Sequence, residues 1–388
     1  MLTNTAAAPS RRTALLPVYH QFPFHPVRGR GSWLIDEQGD RWLDAYGGHA
    51  VAATGHSHPA VVHAIQRQAA ELLFYSSAVG HPLREELALR LSALCPDPLG
   101  RVFLCNSGAE ANENALHLAR RHTGRQRIVS VSGGWHGRTT ATLACTDGRR
   151  YEAAARRSGI PLSDKVPFND IRALERMIDE TVAAFIVEPV QGLAGARDCH
   201  PGFLESARRI CRERGAVLIF DEVQCGVGRC GAFTAAESFA VVPDVITLAK
   251  GLGSGLPIAA VIAGPDVTEG ITEGDLGSTF GGGPVPCAAA LATLDVIERE
   301  QLIENAIRVG EYLARGAQSL GVRQVSGRGL LLGLHLEQPA AVVQSRLFQH
   351  RIVTGTASDP QVLRLLPPLS FSQREADILL KGLKDAIQ

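Results

Sequence analysis

Three ionisable residues stand at the ends of three apolar runs. Glu188 closes AAFIVE, Asp221 closes AVLIFD, and Lys250 follows DVITLA. Near-continuous apolar runs of this length read as buried parallel strands. In open parallel sheets, ligands bind beyond the carboxyl ends of the strands. A single charge there is commonplace, because the chain is leaving the sheet for water; three in succession point to a site. Lys250 has two readings. Either it snorkels its ammonium to solvent, or it is a Schiff-base nucleophile that attacks a carbonyl as the neutral amine. An ordinary lysine titrates at about 10.4, and desolvation at an apolar strand end lowers that value. The following GLGSGLP lets backbone pass close to a planar ligand. Its glycines echo a dinucleotide fingerprint only superficially, since the run leads to Pro257 and another strand instead of a helix.

Asp221 needs a partner in such a place: a pyridinium N–H, or an arginine from elsewhere. Opposite charges at contact shift a pKa by about one to three units. A carboxylate so placed would keep a pyridine nitrogen protonated, which is what pyridoxal 5'-phosphate requires to act as an electron sink. Ser107, Gly108 and Ala109 open the helical stretch NSGAEANENALHLAR, so their N–H groups and the helix dipole suit a phosphate; a plain N-cap explains them equally well. In SGGWHGRTT, Trp135 could stack on a flat ring and Arg138 could clamp a carboxylate. His136 is a weaker catalytic candidate, because Lys250 already provides a mobile base. Arg364, in LRLLPPL, is a second cation, read either as a substrate clamp or as a solvated strand-edge charge.

The chain that must position these groups has 388 residues, enough for two domains. Lys plus Arg (39) balance Asp plus Glu (39), so no overall field draws in nucleic acid or an anionic membrane. The eight cysteines are scattered without a C-x-x-C pair and read as buried, reduced thiols, not disulfides or a metal site. Arg11 and Arg12 precede an apolar stretch that is too short for a secretory leader and is broken by Pro17. Localisation is expected to be cytoplasmic, with no membrane partner.

GSWLIDEQGDRWLDAYGG reads as a hairpin, and residues 58–73 and 83–94 have helical spacing. From about residue 100, short β-branched runs alternate with helices, among them Glu110–Arg121 and Phe203–Arg214. This predicts an α/β fold with a mostly parallel central sheet covered by helices on both faces. The expected division is an N-terminal segment, 1–59, belonging to a small domain; a large α/β domain, 60–290; and a small α+β domain, 291–388.

Together these stretches resemble the class III (ω-amino acid) aminotransferases of pyridoxal-phosphate fold type I, and within them the acetylornithine and succinylornithine enzymes. The likeness runs from about residue 15 to the end. It is carried by DAYGGHAVAATGHSHP, NSGAEANENALHLAR, GGWHGRT, EPVQG, DEVQCGVGR, PDVITLAKGLGSGLP, GSTFGGGPVPCAAA, GRGLLLGL and LRLLPPL. The resemblance implies that Lys250 is the covalent anchor, Asp221 pairs with the ring nitrogen and Gln224 lies near the ring hydroxyl. Glu188 belongs to the cofactor site, Ser107, Gly108 and Ala109 hold the phosphate, and Trp135 stacks over the ring with Val223 beneath. Ser278 and Thr279 would reach the phosphate of the partner subunit, making the working unit a homodimer. Arg138 and Arg364 would hold the carboxylates of the amino donor and of 2-oxoglutarate or glutamate.

This sequence departs from the family pattern at QGLAG, where Leu193 replaces an acid thought to cover the tail arginine when ornithine is bound. Leu193 cannot do so, and an apolar wall suits an acylated α-nitrogen. Gly283 and Cys225 replace a common asparagine and threonine and read as packing variation; the role of His49 is open. The implied reaction moves the δ-amino group of acetylornithine or succinylornithine to 2-oxoglutarate, in arginine biosynthesis. The alternatives are another ω-amine donor (a lysine-biosynthetic aminoadipate semialdehyde, ornithine or 4-aminobutyrate), or a racemase, aminomutase or decarboxylase on the same fold.

Overall fold

The computed structural model describes residues 14–19 and 21–388, so Arg11 and Arg12 lie outside the described residues. Strands β1 (Pro26–Arg30), β2 (Trp33–Asp36) and β3 (Arg41–Asp44) form an antiparallel meander whose second half is the predicted hairpin. Then come β4 (Arg101–Cys105), β5 (Arg127–Val131), β6 (Asp164–Val166) and β7 (Val182–Val187). A short antiparallel ladder of β8 (Val190–Gln191) and β9 (Arg197–Asp198) precedes β10 (Val217–Asp221), β11 (Val245–Leu248) and β12 (Ala259–Ala263). The last strands are β13 (Gln324–Arg328), β14 (Leu331–His335), β15 (Ile352–Val353), β16 (Gly355–Thr356) and β17 (Val362–Leu365).

The central sheet has seven strands in the order β4-β12-β11-β10-β7-β5-β6. Every residue of β7, β10, β11 and β12 is buried, as strands covered on both faces require. Its parallel character is broken at one place: β12 runs antiparallel to both β11 and β4. The segment 249–258 that joins β11 to β12 is too short for the crossover of about a dozen or more residues that a parallel return needs. It turns back instead through a 3₁₀ turn, Lys250–Gly253, with Gly255 at φ 129°. That reversal holds Lys250 at the carboxyl edge of the sheet.

The helices form where the spacing places them, with boundaries shifted by their caps. The predicted Glu110–Arg121 helix runs Gly108–Thr123, because the Ser107 side chain accepts from Glu110 N and Gly124 closes the end in the left-handed conformation. Its buried stripe is Ala111, Asn112, Ala115, Leu116, Leu118 and Ala119. Helix Pro201–Arg214 starts at its proline and stops at Gly215. Helix Pro284–Arg299 is apolar nearly all round and is buried accordingly, with Ala289 and Ala292 against Val61 of helix Pro59–Glu71.

The chain's two ends meet in space. β15, from the C-terminal segment, adds to β3 in parallel, giving the sheet β1-β2-β3-β15. A third sheet, β13-β14-β17-β16, carries Arg364 on β17 between β14 and β16. Arg364 is only 4% exposed, so the reading of a solvated edge charge is wrong: strands on both sides and the 192–196 loop close over it. All eight cysteines are buried and unpaired.

Candidate active site

β10 lies between β7 and β11, and Asp221 ends it with 2% exposure. Its Oδ1 accepts from Val223 N at 3.0 Å. Its Oδ2 accepts from Asn112 Nδ2 at 2.7 Å and faces His136 Nδ1 at 2.8 Å. Donors surround both oxygens, the pattern that an ionised carboxylate takes. Among the described residues no arginine is within ion-pair distance of it; its ring partner is His136. Asn112 is itself fixed: Nδ2 also donates to His136 O at 2.8 Å, and Oδ1 accepts from Thr247 Oγ1 at 2.6 Å. His136 is 2% exposed and uses Nδ1 on Asp221, which makes it a positioning group for that carboxylate.

Glu188, beyond β7, is equally enclosed. Oε1 accepts from Trp135 N at 2.7 Å and Oε2 from Gly192 N at 3.3 Å, so one carboxyl ties the Trp135 loop to the 192 turn. Burial, then the neighbouring Asp221 charge, pushes it up to about 7. Lys250 opens its 3₁₀ turn at φ 42°, a left-handed conformation that a non-glycine residue adopts only under constraint. Burial pulls its amine below the ordinary lysine range, against the opposing pull of Asp221 and Glu188. Among the described residues it forms no ion pair or hydrogen bond. Lys250 instead lines the cavity described below.

Ser107, Gly108 and Ala109 present the open end of a sixteen-residue helix beside these groups. A Cβ on Gly108 would meet Val223 Cγ1 at 2.5 Å, and one on Gly192 would meet Gln224 Oε1 at 1.7 Å. At Gly108 the obstacle is the short, branched Val223 side chain, whereas at Gly192 it is the flexible end of Gln224. A cavity of about 450 Å³ is lined by Ser107, Gly108, Ala109, Trp135, Arg138, Glu188, Asp221, Val223, Gln224 and Lys250. The sequence-predicted residues from Ser107 to Lys250 are thus brought together.

Three predicted residues do not line this cavity. Ser278 turns to its own chain, donating to Glu110 Oε1 at 2.6 Å and accepting from Asn106 Nδ2 at 2.9 Å. Thr279 is exposed beside Phe280. Arg364 reaches the site's edge from β17, donating to Gly192 O at 3.2 Å. Arg138 is exposed, its guanidinium lying over the rings of Trp135 and Tyr19. The sequence reading missed Asn112, Thr247 and Tyr46. An asparagine within an apolar helical stripe was the available signal for Asn112.

The donor set fits pyridoxal phosphate. A buried anion without a cationic partner suits the ring nitrogen, an unpaired lysine suits the aldehyde, and the helix end suits the phosphate. The floor between Gly108 and Val223 leaves no room for a larger residue under a flat ring. Residues 16–387 match the family "Aminotransferase class-III", and the chain belongs to that family. It is 40% identical to an acetylornithine aminotransferase of Methanopyrus kandleri over 95% of this chain and 96% of that protein. It is 39% identical to acetylornithine aminotransferase 1 of Bradyrhizobium diazoefficiens, over 97% and 94%. Among solved structures, the ornithine aminotransferase of Toxoplasma gondii superposes with a TM-score of 0.89 at 29% identity, covering 96% of this chain and 92% of that one. A PLP-bound amine transaminase from an uncultivated Pseudomonas species gives 0.90 at 28% identity, covering 97% and 99%. The enzyme is a pyridoxal-phosphate-dependent transaminase of fold type I, using an amino donor and a keto acid.

Asn112→Ala should leave Asp221 with one side-chain donor fewer. Hydrogen bonds to charged groups are worth about 1.5–3 kcal/mol, so cofactor affinity should fall roughly tenfold or more. Titration of the apoenzyme with pyridoxal phosphate measures this, and an unchanged Kd contradicts the role assigned to Asn112.

Proposed function

We propose that the enzyme moves the δ-amino group of an N-acylated ornithine, acetylornithine or succinylornithine, to 2-oxoglutarate. The products are glutamate and the acylated glutamate semialdehyde, and the setting is cytoplasmic arginine biosynthesis. The observation that carries this reading is the state of Arg364. Nε donates to Thr356 O at 2.7 Å, Nη1 to Gly192 O at 3.2 Å and Nη2 to Tyr46 Oη at 2.8 Å. Nη1 and Nη2 each keep a second hydrogen. Among the described residues no carboxylate lies within ion-pair distance of it. A buried cation without an anion is costly, and a substrate carboxylate is the natural complement. Leu193, half-buried in the adjoining loop, offers no charge to cover the arginine or to meet a free α-ammonium. The acetylornithine aminotransferases among its relatives agree with this choice.

When bound, pyridoxal phosphate supplies an aldehyde that captures the amino group and a ring that accepts electrons released at the adjacent carbon. The chain's residues divide the remaining tasks. Asp221, supplied with donors on both oxygens, would hold a proton on the ring nitrogen. Ser107, Gly108 and Ala109 would hold the phosphate, Trp135 and Val223 would enclose the ring, and Gln224 would meet its hydroxyl. Glu188 keeps the Trp135 loop in place. Lys250 Nζ would be the group that holds the cofactor's aldehyde, and as a free amine it would carry the proton to and from the carbon bearing the transferred nitrogen. Arg138 and Arg364 would orient the substrate carboxylates.

The working unit is proposed to be a homodimer, with Thr279 serving the partner's phosphate site. Leu73, Tyr75, Val79 and Phe280 are 69, 53, 49 and 63% exposed, which supports a covered face there. Phe74 stacks on Phe280 at 4.9 Å, and Arg84 ties the two segments by donating to Val79 O and Gly282 O. The division at residues 60 and 290 is likewise a proposal, supported by the sheet that β15 shares with β3.

Lys250→Ala should bind the cofactor yet lose the yellow absorbance of the resting enzyme and at least about 10⁴-fold in turnover; a variant with full activity removes the assignment. A donor panel with 2-oxoglutarate should show kcat/KM for acetylornithine or succinylornithine exceeding that for ornithine by roughly 100-fold, about 2.7 kcal/mol. Preference for ornithine would overturn the use made of Leu193. Phe280→Arg should shift the mass measured by light scattering from dimer to monomer, with activity lost in parallel.

A further inference from the structure

A basic helix flanks the open side of the cofactor cavity. Arg138 lines the cavity and is exposed, so the cavity reaches solvent on the Trp135 side. There the Trp135 ring meets Tyr151 edge-on, with centroids 4.9 Å apart and planes at 88°. Tyr151 belongs to helix Arg149–Arg157, whose sequence is RRYEAAARR. Its buried residue is Ala155, which follows Tyr151 by one turn on the inner face. Arg149, Arg150, Arg156 and Arg157 are all exposed. Residues seven apart share a helix face, so 149 with 156 and 150 with 157 form two outward stripes.

Three observations set these arginines apart. Elsewhere on the surface Arg90, Arg121, Arg127, Arg209 and Arg214 each hold a carboxylate. Among the described residues, none of the four on this helix forms an ion pair. Arg149 and Arg150 also occupy the first turn, where the helix dipole disfavours a cation and helix stability alone would place acids. Neighbouring acids are engaged with backbone: Asp147 accepts from Gly133 N at 2.6 Å, and Glu113 from Ala141 N and Thr142 N at 3.1 and 3.2 Å. Finally, residues 138–157 carry five arginines against two acids, Asp147 and Glu152, in a chain whose charges balance overall. At 1.5 Å per residue the helix spans about 13 Å, close to the Debye length of roughly 10 Å at 0.1 M salt. The four cations therefore act on an approaching anion as one field.

We propose that helix Arg149–Arg157 is an electrostatic capture surface that draws anions to the cavity: the phosphate-bearing cofactor first, and the dicarboxylate acceptor afterwards. The four guanidinium groups do not line the cavity, so they govern arrival and not the grip on a bound ligand. A one-signed field beside a cleft raises the local concentration of the opposite ion and its association rate, and salt weakens both. Tyr151 seats the helix against Trp135 and so fixes the field at the cavity's rim. The acceptor half of the proposal rests on the use of 2-oxoglutarate proposed above; the cofactor half does not.

Stopped-flow mixing of the full-length apoenzyme with pyridoxal phosphate, across a chloride series, reads the association rate from the absorbance of the bound cofactor. Glutamine keeps the helix propensity of arginine, and removing cations from the first turn favours the helix, so the variants should fold; circular dichroism checks this. R149Q/R150Q should slow association about threefold at ~20 mM salt, and R149Q/R150Q/R156Q/R157Q about tenfold. Both should converge on the wild type at ~500 mM. Dissociation should be unchanged, and pyridoxal, which lacks the phosphate, should bind all three proteins at one rate. A quadruple variant that associates as fast as the wild type at low salt overturns the proposal. So does a deficit that persists at high salt or that pyridoxal shares, because either marks a structural defect. With 2-oxoglutarate, the quadruple variant should raise KM several-fold at low salt and leave kcat within about twofold. An unmoved KM beside the expected cofactor result overturns the acceptor half and counts against 2-oxoglutarate as the acceptor, while cofactor capture stands.

Discussion

The active site depends on an aspartate that is buried without a counter-ion. Asp221 is solvated by Val223 N, Asn112 Nδ2 and His136 Nδ1, which reach it from three different parts of the large sheet and its helices. An arginine in the same place would stabilise the carboxylate more simply, but it would also satisfy it. Oriented hydrogen-bond donors keep the carboxylate in place while leaving it open to a cationic ligand. That choice propagates outward. Asn112 must be held by Thr247 of β11 and by His136 O, so helix Gly108–Thr123, β11 and the Trp135 loop are locked to one another around a single carboxyl group.

The neighbouring acids show how local donors divide the work. Glu222 follows Asp221 directly and is fully buried, yet it caps helix Ala235–Phe239 by accepting from Ala235 N and Ala236 N. Burial pushes it up to about 8. Glu188 rises to about 7 while it bridges the Trp135 loop and Gly192. These two acids brace the backbone, whereas Asp221 lines the cavity. Lys250 sits opposite with its amine lowered by the same dry surroundings. Its constrained turn follows from the reversal of β12, so the antiparallel strand of the sheet and the placement of Lys250 have a common origin.

The substrate end is assembled across sheets. Arg364 comes from β17, Tyr46 and His49 from the segment after β3, and Gly192 from the loop that Glu188 holds. Because β15 pairs with β3, segments early and late in the chain share one sheet. The cofactor end and the substrate end touch through Gly192, whose N–H serves Glu188 and whose carbonyl serves Arg364.

Local sequence signals carried much of this. Apolar runs ending in Glu188, Asp221 and Lys250, and small residues opening the helix at Ser107, specified the site because strand burial and helix capping are properties of neighbours in sequence. The same logic located the helices Pro59–Glu71, Pro82–Leu94, Gly108–Thr123 and Pro201–Arg214 to within about two residues. It could not specify the direction of β12, the burial of Arg364, or the inward turn of Ser278 to Glu110, because each depends on contacts between segments far apart along the chain. Asn112, Thr247 and Tyr46 stayed hidden for that reason: their polarity is explained only by partners 109, 135 and 318 residues away. Composition and periodicity determine which residues must be buried. Which buried polar groups then meet is a matter of three-dimensional packing, since a hydrogen bond forms only when two particular atoms come within about 3 Å.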